Sequence, residues 1–133
     1  MFPLTFLGTR VYDVTARDLQ RRDAQFTRGK GFDTFCPLGP VIETSLDLAN
    51  AGLETFVNGT RKQFGHTSEM IFSLDVIIRF ITQVMTLEPG DIIATGTPSG
   101  VGSLAAGDVV EVSVSGVGTL RNFVIGPDDD REN

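Results

Sequence analysis

Residues 53–64 read LETFVNGTRKQF, and this stretch decides the fold. Two short runs rich in β-branched and aromatic residues flank Asn58-Gly59, a dipeptide in which both positions tolerate the positive φ of a two-residue hairpin turn. The spacing predicts strands over 53–57 and 60–64. Working outward, residues 108–114 and 118–124 form a second antiparallel pair across Ser115-Gly116. Residues 91–97, entered through the turn at Pro89-Gly90, read as another strand. Aromatic and β-branched residues predict a strand over 6–14, and a short one over 38–44. Pro37 and Pro40 confine that last strand to a sheet edge, because proline has no N–H for the ladder.

One helix stands out, over 73–85. Ser73 is placed as N-cap, Asp75 sits in the positively polarised first turn, and Val76, Ile77, Phe80, Ile81 and Val84 recur at three- and four-residue spacing. Residues 16–25 read as a short helix or turn and 28–31 as a loop. The fold class is mainly β, of α+β type, with one main packed helix. Residues 1–126 form a single domain and 127–133 an acidic, solvated tail without order.

A chain of 133 residues is long enough to bury a core, and 41% hydrophobic with 21% charged residues is an ordinary globular balance. The net charge of -6 disfavours nucleic acid, which needs a basic patch to displace phosphate counterions. The single cysteine, Cys36, forbids an internal disulfide and suits a reducing compartment; it reads as a packed thiol. The apolar start is too short for a signal peptide and no apolar run reaches membrane-spanning length, so the expected location is cytoplasmic with no membrane partner.

The polar residues at the predicted strand ends are the candidates for chemistry. Asp13 projects a carboxylate of the kind that suits Mg²⁺ or Mn²⁺, although capping the following turn is the commoner role on spacing alone. Lys30, between Gly29 and Gly31, can bring an ammonium to a developing enolate, or stand as a surface lysine. Arg17 and Gln20 share a charged segment and suit a substrate carboxylate; Arg17 equally suits bracing the loop through Asp13 or Asp18. Thr95-Gly96-Thr97-Pro98-Ser99-Gly100 offers hydroxyls and amides for an oxygen ligand, and matches neither the phosphate loop nor the dinucleotide fingerprint. His66 has no second histidine or cysteine beside it and reads as a surface residue; Asn58-Gly59-Thr60 reads as a turn, not a glycosylation site.

The segments DVTARDLQ, GKGFDTFCPLGP, VNG followed by TRKQ, TSEMIFS, MTLEPGDIIATGTPSGVG, GDVVEV and GVGTLRN occur in this order between residues 13 and 122. In them the chain resembles the C-terminal part of the fumarylacetoacetate hydrolase family, which includes acylpyruvate hydrolases, oxaloacetate decarboxylases and 2-hydroxyhepta-2,4-diene-dioate isomerases. The resemblance implies a mixed β-sandwich roll, a homodimer, and a Mg²⁺ or Mn²⁺ ion holding a small keto- or enol-acid during C–C hydrolysis, decarboxylation or tautomerisation. It further implies that Asp13 is a metal ligand, with Thr34 on the loop lining the metal. It gives Lys30 the role of catalytic lysine, and Gln20 and Thr97 that of substrate contacts, beside the reading of Arg17 above. Complete members carry an upstream Glu-x-Glu pair and a lid with His and Glu. No Glu-x-Glu occurs in this chain, and Leu7-Gly8-Thr9-Arg10-Val11-Tyr12 stands where the family has a Gly-Tyr-Thr strand running into Asn-Asp. The chain therefore reads as N-terminally truncated. That leaves two alternatives: an enzyme completed from elsewhere, or an inactive fragment serving as a dimerising or small-anion-binding domain.

Overall fold

A computed structural model describes residues 8–126. Its centre is a four-stranded antiparallel sheet in the order β2-β1-β3-β4, formed by β1 (Gly52–Val57), β2 (Thr60–His66), β3 (Val109–Val114) and β4 (Gly118–Phe123). The hairpin turn is where the dipeptide places it, with φ of 51° at Asn58 and 74° at Gly59. Asn58 also ties the turn to β3: its Nδ2 donates to Asp108 Oδ1 (2.8 Å) and its Oδ1 accepts from the Val109 N–H (2.9 Å). The mainly β, α+β class holds.

One row of side chains crosses all four strands. Gln63 pairs with Thr55, Thr55 with Val112, and Val112 with Leu120, and all four are buried. With Ala51 and Val110 they make the core face of the sheet. Alternation on β2 explains why a glutamine joins this row: Gln63 and Gly65 face inward while Lys62 and Phe64 face out.

Three short helices accompany the sheet: α1 (Arg17–Arg22), α2 (Thr27–Lys30) and α3 (Leu74–Thr82). The segment expected to be a loop at 28–31 is thus partly a helical turn. Gly29 eases the close approach of α2 to α1, since an added Cβ would stand 3.2 Å from the Gln20 amide nitrogen. Ser73 does occupy the N-cap of α3, but its hydroxyl makes no capping bond. No residue of α3 is buried, so the helix expected to be the packed one lies with Val76 and Phe80 exposed.

The outer strands are the larger departure. Between residues 8–14 and 38–44 the described residues form two isolated bridges, Gly8 with Glu43 and Val11 with Leu38, and no continuous ladder. Prolines at 37 and 40 remove two donors from that ribbon, which stops a continuous ladder. Phe6 and Leu7 of the expected strand lie outside the described residues, as does the tail at 127–133. Residues 91–97 form no strand among the described residues, and Ile92 is about half exposed. Cys36 is exposed, not packed, because its segment has no sheet to lie on. Among the described residues, no helix is long and apolar enough to cross a membrane.

Candidate functional site

The concave side of the sheet opens on a trough of about 2850 Å³, lined by Asp13, Arg17, Lys30, Thr34 and Thr97 among others. Gln20 does not line it. The amide oxygen of Gln20 instead accepts from Arg17 Nη1 (2.8 Å), an i, i+3 contact on α1. Of the candidates, the structure brings Asp13 and Lys30 into direct contact. Lys30 Nζ donates to Asp13 Oδ2, and also to Thr15 Oγ1 at 3.2 Å. The ammonium is carried there by α2, which is held next to Lys30 by the Ala16 N–H donating to the Gly29 carbonyl (2.8 Å). Gly29 therefore serves close packing and not backbone freedom.

Thr34 stands exposed with φ of 67°, a left-handed conformation uncommon for a β-branched residue. Strain of this sort concentrates where a backbone is held for a purpose. Thr97 ends the 91–97 segment, and the loop it opens is strapped onto β2. Gln63 Nε2 donates to both Thr97 Oγ1 and the Pro98 carbonyl, each at 2.8 Å. Gly100, with φ of 104°, lies so close to Lys62 that a Cβ would come within 2.0 Å of its carbonyl oxygen. Gly65 likewise makes room for the Pro98 ring, 2.9 Å from where its Cβ would be.

Two residues of this arrangement were not singled out from sequence: Thr15 and Gln63. Thr15 carries no signal beyond lying two residues from Asp13. Gln63 does carry one, since it is a polar residue at the inward phase of an alternating strand and opposite a threonine. His66 is built into a cap: its Nδ1 lies 2.6 Å from Ser68 Oγ, and its N–H donates to Glu69 Oε2 (3.2 Å). That occupies the imidazole structurally, in keeping with a residue outside the chemistry.

The electrostatics are mixed. Asp13 is exposed and Lys30 half-buried, so their pair is screened by water on one side. Burial raises the Tyr12 phenol above its usual range. Arg10 also lines the trough and is 1% exposed; among the described residues its Nε and Nη1 have no hydrogen-bond partner, and Nη2 reaches the Val117 carbonyl at 3.4 Å. Desolvation lowers its pKa. Among the described residues no three Asp, Glu, His or Cys side chains come together as a metal-holding group. A lone carboxylate already engaged by an ammonium does not fit a divalent cation, which requires several oxygen ligands. Asp13 is at most one ligand of a set completed by groups that the described residues do not supply.

Residues 6–125 match the family model described as fumarylacetoacetate (FAA) hydrolase, C-terminal. The chain belongs to the fumarylacetoacetate hydrolase family. Within that family it is 47% identical over 126 residues to the oxaloacetate tautomerase of Bacillus subtilis, a match covering 87% of this chain and 42% of the relative. It superimposes on a 2-hydroxyhepta-2,4-diene-1,7-dioate isomerase from Mycobacterium marinum with a TM-score of 0.86 at 52% identity, covering 88% of this chain and 46% of the other. It also superimposes on a maleylpyruvate hydrolase from Sphingobium sp. SYK-6, in complex with manganese(II) and pyruvate, with a TM-score of 0.73 at 37% identity. That match covers 77% of this chain and 39% of the hydrolase. The chain spans about half the length of the curated relatives it matches. Fumarylacetoacetate hydrolase relatives thus carry tautomerase, isomerase and hydrolase names, and one was solved with a divalent metal and a keto-acid.

Proposed function

We propose that this chain supplies the lysine-and-threonine wall of a site for small keto- or enol-acids, in an enzyme of fumarylacetoacetate hydrolase type. The observation that carries the reading is the contact of Lys30 with Asp13 and Thr15, in the trough that Thr97 also lines. Chemically, Lys30 presents a positive charge where an enolate oxygen gathers negative charge, and electrostatic stabilisation of that kind is the largest contribution available to such a site. Asp13 and Thr15 hold the ammonium against its flexible four-carbon stem. Arg17 lines the same trough and suits the carboxylate end of the acid. A divalent cation, when completed by other ligands, would act as Lewis acid for the same oxygen. The enzyme is proposed as cytoplasmic and homodimeric, acting on a small acid and not on nucleic acid or membrane.

A second reading has its own support. The absence of a three-residue metal-holding group among the described residues favours an acid-binding domain that does not turn over by itself. Titration calorimetry with pyruvate and with oxaloacetate, each with and without Mn²⁺, tests both. Binding of either acid that is lost on Lys30→Met supports the site. Turnover of oxaloacetate enol, followed by its absorbance and lost on Asp13→Asn, decides for the enzyme. Binding without turnover decides for the acid-binding domain. No heat of binding for either acid under either condition overturns the keto-acid reading.

A further inference from the structure

The Gln63 side chain fixes more than the position of a loop. The Pro98 carbonyl can only accept, so the atom of the Gln63 amide facing it at 2.8 Å must be the nitrogen; the flipped amide would set two acceptor oxygens against each other. That nitrogen carries two hydrogens. One is used on Pro98, and the other points at Thr97 Oγ1, also at 2.8 Å. Thr97 Oγ1 therefore accepts from Gln63, and its single proton is directed elsewhere. Among the described residues the Thr97 hydroxyl donates to nothing, and Thr97 is exposed on the wall of the trough.

The amide cannot readily turn away from this duty. Gln63 is 7% exposed and sits in the buried row with Thr55, Val112 and Leu120. A buried amide that lost either partner would be left with an unsatisfied donor, which costs about 1–3 kcal/mol. The loop is also pressed on the same strand by Gly100, against the Lys62 carbonyl and beside Gln63 Cγ. Donor and acceptor roles are thus set before any ligand arrives.

We infer that Gln63 is a positioning residue that presents the Thr97 hydroxyl as a hydrogen-bond donor, so that the ligand atom meeting Thr97 is an acceptor oxygen of a carboxylate or ketone. This rests on the keto-acid site proposed above and adds the polarity of one of its contacts. It predicts that this position favours the oxygen-rich end of an acid over a donor-only group such as an ammonium. An acid with acceptor oxygens at both C1 and C2, of which pyruvate is the smallest, has the right polarity.

The test has two arms on the full chain. In the first, the Gln63 side-chain amide is observed by ¹⁵N–¹H NMR. Both of its protons are expected to exchange slowly, and Thr97→Val is expected to shift one of the pair and leave the other on Pro98. Protons that exchange like those of an exposed glutamine, or a pair unmoved by Thr97→Val, overturn the inference. In the second arm, pyruvate is titrated into wild type, Gln63→Glu, Thr97→Val and Thr97→Ser. Glutamate at neutral pH only accepts, so it draws the threonine proton to itself. Gln63→Glu and Thr97→Val are expected to weaken pyruvate binding about tenfold each, and the double variant no further, while Thr97→Ser stays near wild type. Folded Gln63→Glu and Thr97→Val chains that bind pyruvate like wild type also overturn it. No binding by the wild-type chain, with the amide signature intact, overturns the keto-acid reading and leaves the hydroxyl's orientation standing.

Discussion

Arg10 is the residue at which local physics and the fold conflict. A guanidinium at 1% exposure with two nitrogens unpartnered loses its hydration without recovering it in hydrogen bonds. It packs instead against Gly118, whose missing Cβ would lie 3.3 Å from Nη1. Replacing an uncompensated buried charge by an apolar side chain of similar reach is commonly neutral or stabilising. Arg10→Met is therefore expected to raise stability by about 1–3 kcal/mol, read as a higher urea midpoint at unchanged slope. A fall in the midpoint would mean that Arg10 has found a charge partner in solution. Asp108 gives a prediction of the opposite kind. Its carboxylate is held below its ordinary pKa, first by the Ala105 N–H and then by Asn58 Nδ2. A depressed folded-state pKa adds stability above the unfolded value, roughly pH 3.9, and that stability is lost as pH falls through the lower folded value. The acid limb of the stability–pH curve below about pH 4 should flatten in Asp108→Asn. Parallel limbs in the two proteins would remove Asp108 from the account.

Gly100 carries the strap between the Thr97 loop and β2, and it ties an element to its neighbour by backbone alone. Its φ of 104° and a Cβ position 2.0 Å from the Lys62 carbonyl leave no room for alanine. Gly100→Ala is expected to cost at least about 2 kcal/mol, from left-handed strain plus a clash that must move the backbone. Gly102→Ala, with nothing within 4 Å of its Cβ, is expected to be nearly silent. Equal effects at the two glycines, in urea titrations, would show that the loop is not pinned. The same contrast explains what was legible in the sequence. The β1–β2 and β3–β4 hairpins were readable because their turns and partners lie within fifteen residues. Segments 8–14, 38–44 and 91–97 have strand-like composition, but a strand exists only through a partner, and composition does not say whether one is in reach. At the site, Asp13 and Lys30 were legible only through family resemblance, since an acid and a lysine seventeen positions apart declare no contact. Gln63 was hidden because a buried glutamine is recognised by what it bonds, and those partners lie more than thirty residues on.

For the whole molecule, the quantity that matters is surface. A self-contained monomer of 14.4 kDa exposes roughly 6800 Å², whereas this chain exposes 10014 Å². Even if residues 1–7 and 127–133 were fully exposed, they would account for only about half of the excess. The rest is apolar in good part. Ile71 is 92% exposed, Phe80 70% and Val84 74%, and none of α3 is buried although its residues recur on one face. Contiguous apolar surface of this extent is unusual on a monomer and drives association. The chain alone is therefore expected to bind a hydrophobic dye such as ANS and to sediment as oligomers that grow with concentration. Because α3 buries nothing, the double variant Ile71→Ser, Phe80→Gln should leave the β-sheet circular dichroism intact while reducing both dye binding and association. If the wild-type chain instead sediments as a monomer across micromolar to near-millimolar concentration and leaves the dye dark, its apolar faces must be covered by the chain itself. The open trough, and with it the accessible Thr97 hydroxyl, would then have to be closed in solution.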